Sequence, residues 1–211
     1  MLWRKPSPCE IQPVIRFALV ACLLSSMLTG CDVAPQHARA LAPPAIEQPP
    51  ANLPAALHQR NWTGRLNQGS CVHASVVNLL RWLNEYDLGE RWRTTYSDGE
   101  YDSRLEERLT AVPIDFISTR NADPRFLDWC SQNRYACLLW WKPSHCCAFM
   151  GWVSDSQGNQ FAAILDNNYP GKFQYTPREQ FIRLWSGYGG YACCILGTPA
   201  SSIPYRSYEV F

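Results

Sequence analysis

The sequence predicts an α+β domain with its helices first and a small antiparallel sheet after them. Three observations carry this expectation. Cys71 opens a stretch whose apolar residues Val76, Leu79, Leu80 and Leu83 recur at helical spacing. Two charged, helix-like stretches follow it. Beyond Ala136 the pattern changes to short apolar, aromatic and β-branched runs parted by turn residues. The domain is read as residues 61–211.

What precedes it is different in kind. Met1 to Arg16 carries Arg4, Lys5 and Arg16, and Phe17 to Thr29 is an uncharged apolar run ending in Leu28-Thr29-Gly30-Cys31. A basic start, a short apolar core and small residues at its end read as a secretory signal peptide over 1–31. The run is shorter than the roughly 20 apolar residues that a spanning helix needs. Its last four residues resemble a bacterial lipobox, which implies lipidation at Cys31, a cell-envelope location and a domain facing the periplasm or the exterior. Asp32 resembles the residue that retains some lipoproteins in the inner membrane. Residues 32–60 are rich in proline and alanine, with Pro43-Pro44, Pro49-Pro50 and Pro54, and read as an extended spacer.

The elements of the domain follow in order. Ser70 is a natural N-cap for the helix at Cys71. Glu85 to Tyr96 and Ser103 to Leu109 read as short surface helices on either side of Ser97-Asp98-Gly99. Pro113 to Ile117 alternates as a strand, and Asp123-Pro124 opens a helix to about Asn133, with Asp as cap and Pro in the first turn. Ala136 to Trp141, Cys146 to Val153 and Gln160 to Leu165 are strands, the last two joined by a turn at Asp155 to Asn159. Thr176 caps a helix through Trp185, with Glu179 placed to reach back. Gly187 to Gly190 turns the chain into a final strand, Tyr191 to Leu196.

The net charge of +1 gives no electrostatic argument for nucleic acid or an anionic surface, and a monomer is expected. The domain holds Cys71, Cys130, Cys137, Cys146, Cys147, Cys193 and Cys194, an odd set. In a compartment that permits disulfides, the simple account leaves Cys71 free and bridges the rest, with Cys130 to Cys137 and one of Cys146 or Cys147 to one of Cys193 or Cys194 as pairings. No C-x-x-C spacing occurs and adjacent cysteines on a strand point to opposite faces, so neither a metal nor a cofactor is expected.

Cys71 is the candidate nucleophile. At the first helical position the peptide dipoles present partial positive charge, which favours the thiolate. A thiol nucleophile needs an imidazole base, and the imidazole needs a partner that fixes its tautomer. His37 and His58 belong to the spacer, and His73 lies about 200° around the helix from Cys71. His145 remains, at a junction of turn and strand. The hairpin at Asp155 to Asn159 returns the end of the next strand beside it, bringing Asp166 or Asn167. An ionised oxygen both orients the ring and stabilises imidazolium, which favours Asp166.

The order of a helix-borne cysteine, a histidine opening a strand, and Asp or Asn ending the next strand resembles the papain-like cysteine peptidases. Among these it is most similar to the double-glycine leader peptidases and related C39-like peptidases, over about Asn67 to Trp185. The resemblance implies a papain-like fold, a helical part with the catalytic helix packed on the sheet, and hydrolysis of a peptide or protein substrate. It also implies an oxyanion-hole glutamine about six residues before the nucleophile. Arg65 stands there, and Gln68, only three before Cys71, is the glutamine available. Matching Asn67-Gln68-Gly69-Ser70-Cys71 to the papain motif would instead put Ala74 in the nucleophile's place, but the helical pattern begins at Cys71. The alternatives are an NlpC-type peptidoglycan amidohydrolase and a catalytically inactive binding lipoprotein.

Overall fold

The computed structural model describes residues 45–200. The leader, Cys31, the first part of the spacer and residues 201–211 lie outside them. Three helices come first: α1 (Cys71–Trp82), α2 (Tyr86–Thr95) and α3 (Asp102–Ala111). There follow β1 (Phe116–Thr119), α4 (Pro124–Gln132), β2 (Cys137–Lys142), β3 (His145–Ser154), β4 (Gln160–Leu165), β5 (Gln174–Pro177), α5 (Arg178–Gly187) and β6 (Ala192–Ile195). The strands form a six-stranded antiparallel sheet in the order β1-β6-β2-β3-β4-β5. Mixed helix and antiparallel sheet is the class expected.

The two-residue period of a strand divides the core into two layers. Leu138, Cys146, Ala148, Met150, Ala163, Leu165 and Cys193 face Val72, Val76, Leu79 and Leu80 of α1. Their neighbours Cys137, Leu139, Cys147, Phe149, Ala162, Ile164 and Cys194 face Leu127 and Cys130 of α4 and Phe181 and Trp185 of α5. Covering on both faces is why the central strands read as continuous apolar runs. Each side chain of the size of leucine or phenylalanine buried there stabilises the fold by about 1.5–3 kcal/mol.

Four expectations are corrected. First, residues 46–60 are not a free spacer. The Ala51 N–H donates to Met150 O and the Glu47 N–H to Ser154 O, each at 3.0 Å, and Ala51 and Leu53 are in the core. A register shift between Phe149 and Gly151 interrupts the pairing of β3 with β4. Gly151 there has φ +120°, and a Cβ on it would lie 2.6 Å from Pro50 Cδ. Prolines that keep this stretch extended also let it lie along the sheet.

Second, the seven cysteines of the described residues are free thiols. Strands β3 and β6 are separated by β2, so their Cα atoms are about two strand spacings, or 9–10 Å, apart. A disulfide requires less than about 7 Å. Cys130 does lie beside the thiols of Cys137 and Cys194, but unbridged.

Third, Thr176 does not cap α5. It belongs to β5, Pro177 occupies the N-cap position, and no side chain caps it. A short edge strand ending in proline is permitted because its outer N–H groups need no partner in the sheet. Fourth, Ser70 stands at the N-cap of α1 without capping it. Its hydroxyl accepts the Asp98 N–H at 2.8 Å.

Candidate active site

Residues 62–70 form a small hairpin that leads into α1. Thr63 bridges Gly69, the Gly64 N–H donates to Gln68 O at 2.8 Å, and the Ser70 N–H donates to Trp62 O at 2.9 Å. Asp98 fastens this arm from outside the hairpin: Oδ1 accepts the N–H groups of Leu66 at 2.8 Å and Gln68 at 3.2 Å. The approach is close enough that a Cβ on Gly64 would lie 2.3 Å from the Asp98 carboxyl. Through the Ser70 bond the same residue holds the entry to α1, and with it the backbone of Cys71.

Cys71 is buried, and its sulfur accepts the N–H of Cys146 at 3.4 Å. Burial alone raises its pKa. The hydrogen bond from His145, the N–H of Cys146, the imidazolium charge and the N–H of Val72 together outweigh burial, and the net displacement is below the ordinary thiol value. His145 Nε2 lies 2.8 Å from Asp166 Oδ1, which leaves Nδ1 for the thiol. Burial opposes the charged ring, but bonds to Asp166, Cys147 and Cys71 raise its pKa far above that of free imidazole. Burial likewise favours neutral Asp166. The His145 bond, the Asn168 N–H and the charges of His145 and Lys142 prevail and draw it down to about 2. The resting state supported by these contacts is thiolate, imidazolium and carboxylate in a row.

The carboxylate is held from four sides. Oδ1 takes His145 and the Asn168 N–H at 3.0 Å, while Oδ2 takes Lys142 Nζ and Gln174 Nε2, each at 3.3 Å. Extending the register of Ala148 with Leu165 places Asp166 opposite Cys147, so the β3–β4 ladder itself delivers the acid to the histidine.

Asn167, the alternative third member, faces the other way. Its side chain is fully buried, and Nδ2 lies 3.0 Å from Cys71 O, 3.0 Å from Ser75 Oγ and 2.9 Å from Cys146 O. One amide thus joins the first turn of α1 to the start of β3. This clamp sets the spacing at which the Cys146 N–H meets the Cys71 sulfur.

Gln68 is exposed, with its Oε1 near Gly99, and among the described residues no hydrogen bond joins its side chain to Cys71 or His145. Besides Asn167 and Gln174, Asn61 is joined to the site at one remove, through Asn168. Its Nδ2 donates to Asn168 Oδ1 at 2.9 Å, and Asn168 Nδ2 lies 3.4 Å from His145 Nε2. Asn61 was invisible in the sequence because it falls at the end of the proline-rich stretch, ten residues before Cys71. Cys147 was also missed as a neighbour of the histidine, although a His-x-Cys spacing on a strand puts both on one face.

No protein-family model and none of the curated proteins matches the sequence. Among solved structures the chain is similar to the crystal structure of a "putative C39-like peptidase" from Bacillus anthracis, with 14% identity and a TM-score of 0.38. The match covers 50% of this chain and 63% of that one, so it spans less than two thirds of the neighbour's length.

Proposed function

We propose that this chain is a papain-like, C39-like thiol hydrolase of peptide bonds, held at the cell envelope through a lipid on Cys31. The observation that carries the reading is the convergence of three residues from separate elements. Cys71 at the N-terminus of α1 and His145 at the start of β3 are close enough that each shifts the other's protonation, and His145 is bonded at 2.8 Å to Asp166 at the end of β4.

In this reading the Cys71 thiolate attacks a peptide carbonyl. The oxyanion is received at the N-terminus of α1, with the Cys71 N–H as a donor. Imidazolium His145 gives its proton to the leaving amine, and the acyl group remains on sulfur. A water molecule then attacks the thioester while His145 takes its proton, which releases the acid and restores Cys71. Asp166 holds the ring and its charge throughout.

The test is the rate of iodoacetamide labelling at Cys71 against pH in the full chain and in His145→Ala. Rapid labelling well below the free-thiol value of about 8.5, slowed in the variant, is expected. A Cys71 that reacts only as a free thiol does would end the proposal and favour the catalytically inactive binding lipoprotein.

A further inference from the structure

His145 has a second thiol beside it. Cys147 lies two residues along β3, on the same face, with no solvent exposure, and the catalytic scheme does not use it. Asp166 arrives opposite Cys147 by the β3–β4 register. One ring nitrogen of His145, the Cys147 sulfur and one Asp166 oxygen consequently lie within 4.8 Å of one another.

We propose that these three residues form a binding site for a zinc-class divalent cation, and that its occupation shuts off the thiol chemistry proposed for Cys71. The donor set of one thiolate, one imidazole and one carboxylate is a zinc set, and zinc favours four tetrahedral ligands at about 2.0–2.3 Å. Such bond lengths place the donor atoms about 3.3–3.7 Å apart, so His145 Nε2 and Asp166 Oδ1, now 2.8 Å apart, part by roughly half an ångström to admit the ion while the Cys147 sulfur, within 4.8 Å of both, takes up the rest of the adjustment. The cation takes the place of the proton now held between His145 and Asp166. Binding releases the imidazolium proton and the Cys147 thiol proton to solvent, leaving a fourth position for water.

Two features of the site make this exchange feasible. His145 reaches the surface with 13% of its side chain exposed, which supplies an entry. Lys142, the fixed cation now against Asp166 Oδ2, is 40% exposed and can swing away on its long stem. Once the ion occupies the nitrogen that faces Asp166, the ring keeps its proton on the other nitrogen and has no lone pair free, so it cannot take the proton of the water that must release the acyl group. The regulatory consequence rests on the function proposed above; the binding site does not.

The test is optical titration of the reduced full chain with Co2+, followed by displacement with Zn2+. Expected is a saturable, one-to-one thiolate-to-cobalt charge-transfer band with the visible absorption of tetrahedral cobalt, abolished by Zn2+. Cys147→Ser should remove the charge-transfer band, and Cys71→Ala should keep it. Asp166→Asn should weaken binding by at least about 100-fold, beyond the 10- to 100-fold typical of losing an outer-shell partner; it serves as the second variant where Cys147→Ser does not fold. No stoichiometric band, or a band kept in Cys147→Ser and lost in Cys71→Ala, would overturn the site. A Cys71 without enhanced reactivity would sink the hydrolase reading and leave this measurement unaffected.

Discussion

Helix α1 carries a buried histidine–carboxylate pair on each side of it, and the two behave in opposite ways. At its N-terminus His145 meets Asp166 at 2.8 Å, and its pKa rises. On the flank toward α2, His73 lies 3.9 Å from Glu100, and its pKa falls to about 4. Burial acts against charge in both. The difference lies in what else the carboxylate serves. Glu100 is already paired with Arg108, whose guanidinium also stacks over Tyr96 at 4.6 Å, and the arginine's charge pushes the His73 proton off. His73 Nδ1 instead accepts the Trp92 indole N–H at 3.3 Å. Among the described residues, the one cation other than His145 against Asp166 is the half-exposed Lys142. A carboxylate makes an imidazole a base only while the carboxylate's charge is free to serve it.

Substitutions can break this contrast. The largest expected effect is from Asp166→Asn, which keeps the shape but loses the charge: hydrolysis by the proposed mechanism should fall by about 10⁴-fold, the scale seen when a triad acid is neutralised. Labelling of Cys71 should move to higher pH with it. Glu100→Gln should leave the labelling profile in place and cost about 1.5–3 kcal/mol in denaturant unfolding, because Arg108, a quarter exposed, loses its charged partner.

Asn167→Leu separates positioning from charge. Two carbonyls and a hydroxyl lose one of their partners, so a cost of about 1–3 kcal/mol is expected in urea unfolding, together with slower Cys71 labelling. Unfolding cost with unchanged labelling would show that the clamp does not position the nucleophile.

The pH dependence of stability separates the pairs next. His73 is neutral in the folded chain and protonates more easily when unfolded. Its contribution is intact above the ordinary histidine value of about 6.5 and is lost as pH falls toward about 4, a loss of about 3 kcal/mol. His58, also lowered by burial, adds in the same direction. His145 behaves conversely: its raised pKa stabilises the fold fully below the ordinary value, and that contribution is lost only as alkaline pH deprotonates the folded ring. Asp166 contributes above the ordinary carboxylate range and loses its part as pH falls toward about 2. Chemical denaturation of His73→Gln should therefore show a flatter profile between pH 6.5 and 4 than the parent.

The smallest effect is the sharpest. Arg108→Met should raise the His73 pKa from about 4 without restoring the free value, since burial, the larger cause, remains. Histidine ring titration by NMR reads this directly, and an unmoved His73 would refute the role given to the arginine.

How much of this was legible follows from how local each signal is. Helical spacing and the two-residue strand period marked α1, α4 and the central strands, because burying one face requires that pattern wherever the segment docks. The same rules separated His145 from His73, since a turn of about 100° per residue fixes which side of a helix a residue occupies. The hairpin at Asp155 to Asn159 made the nearness of Asp166 to His145 readable, as antiparallel pairing across a short turn is nearly local.

Tertiary structure decided the rest. Whether Pro49-Pro50 floats or docks depends on a carbonyl left open by the bulge at Gly151. Whether Ser70 caps its helix depends on Asp98, which arrives from 28 residues away. Which cysteines meet depends on β2 inserting between β3 and β6, and which amide reaches the nucleophile depends on Asn167 turning inward while Asp166 turns out. By itself the sequence determined the periodicities and the chemical kinds of side chain, because these act through neighbours along the chain. Partners, protonation and spacing were set by the packed fold, because a hydrogen bond or a charge responds to distance in space and is indifferent to distance in sequence.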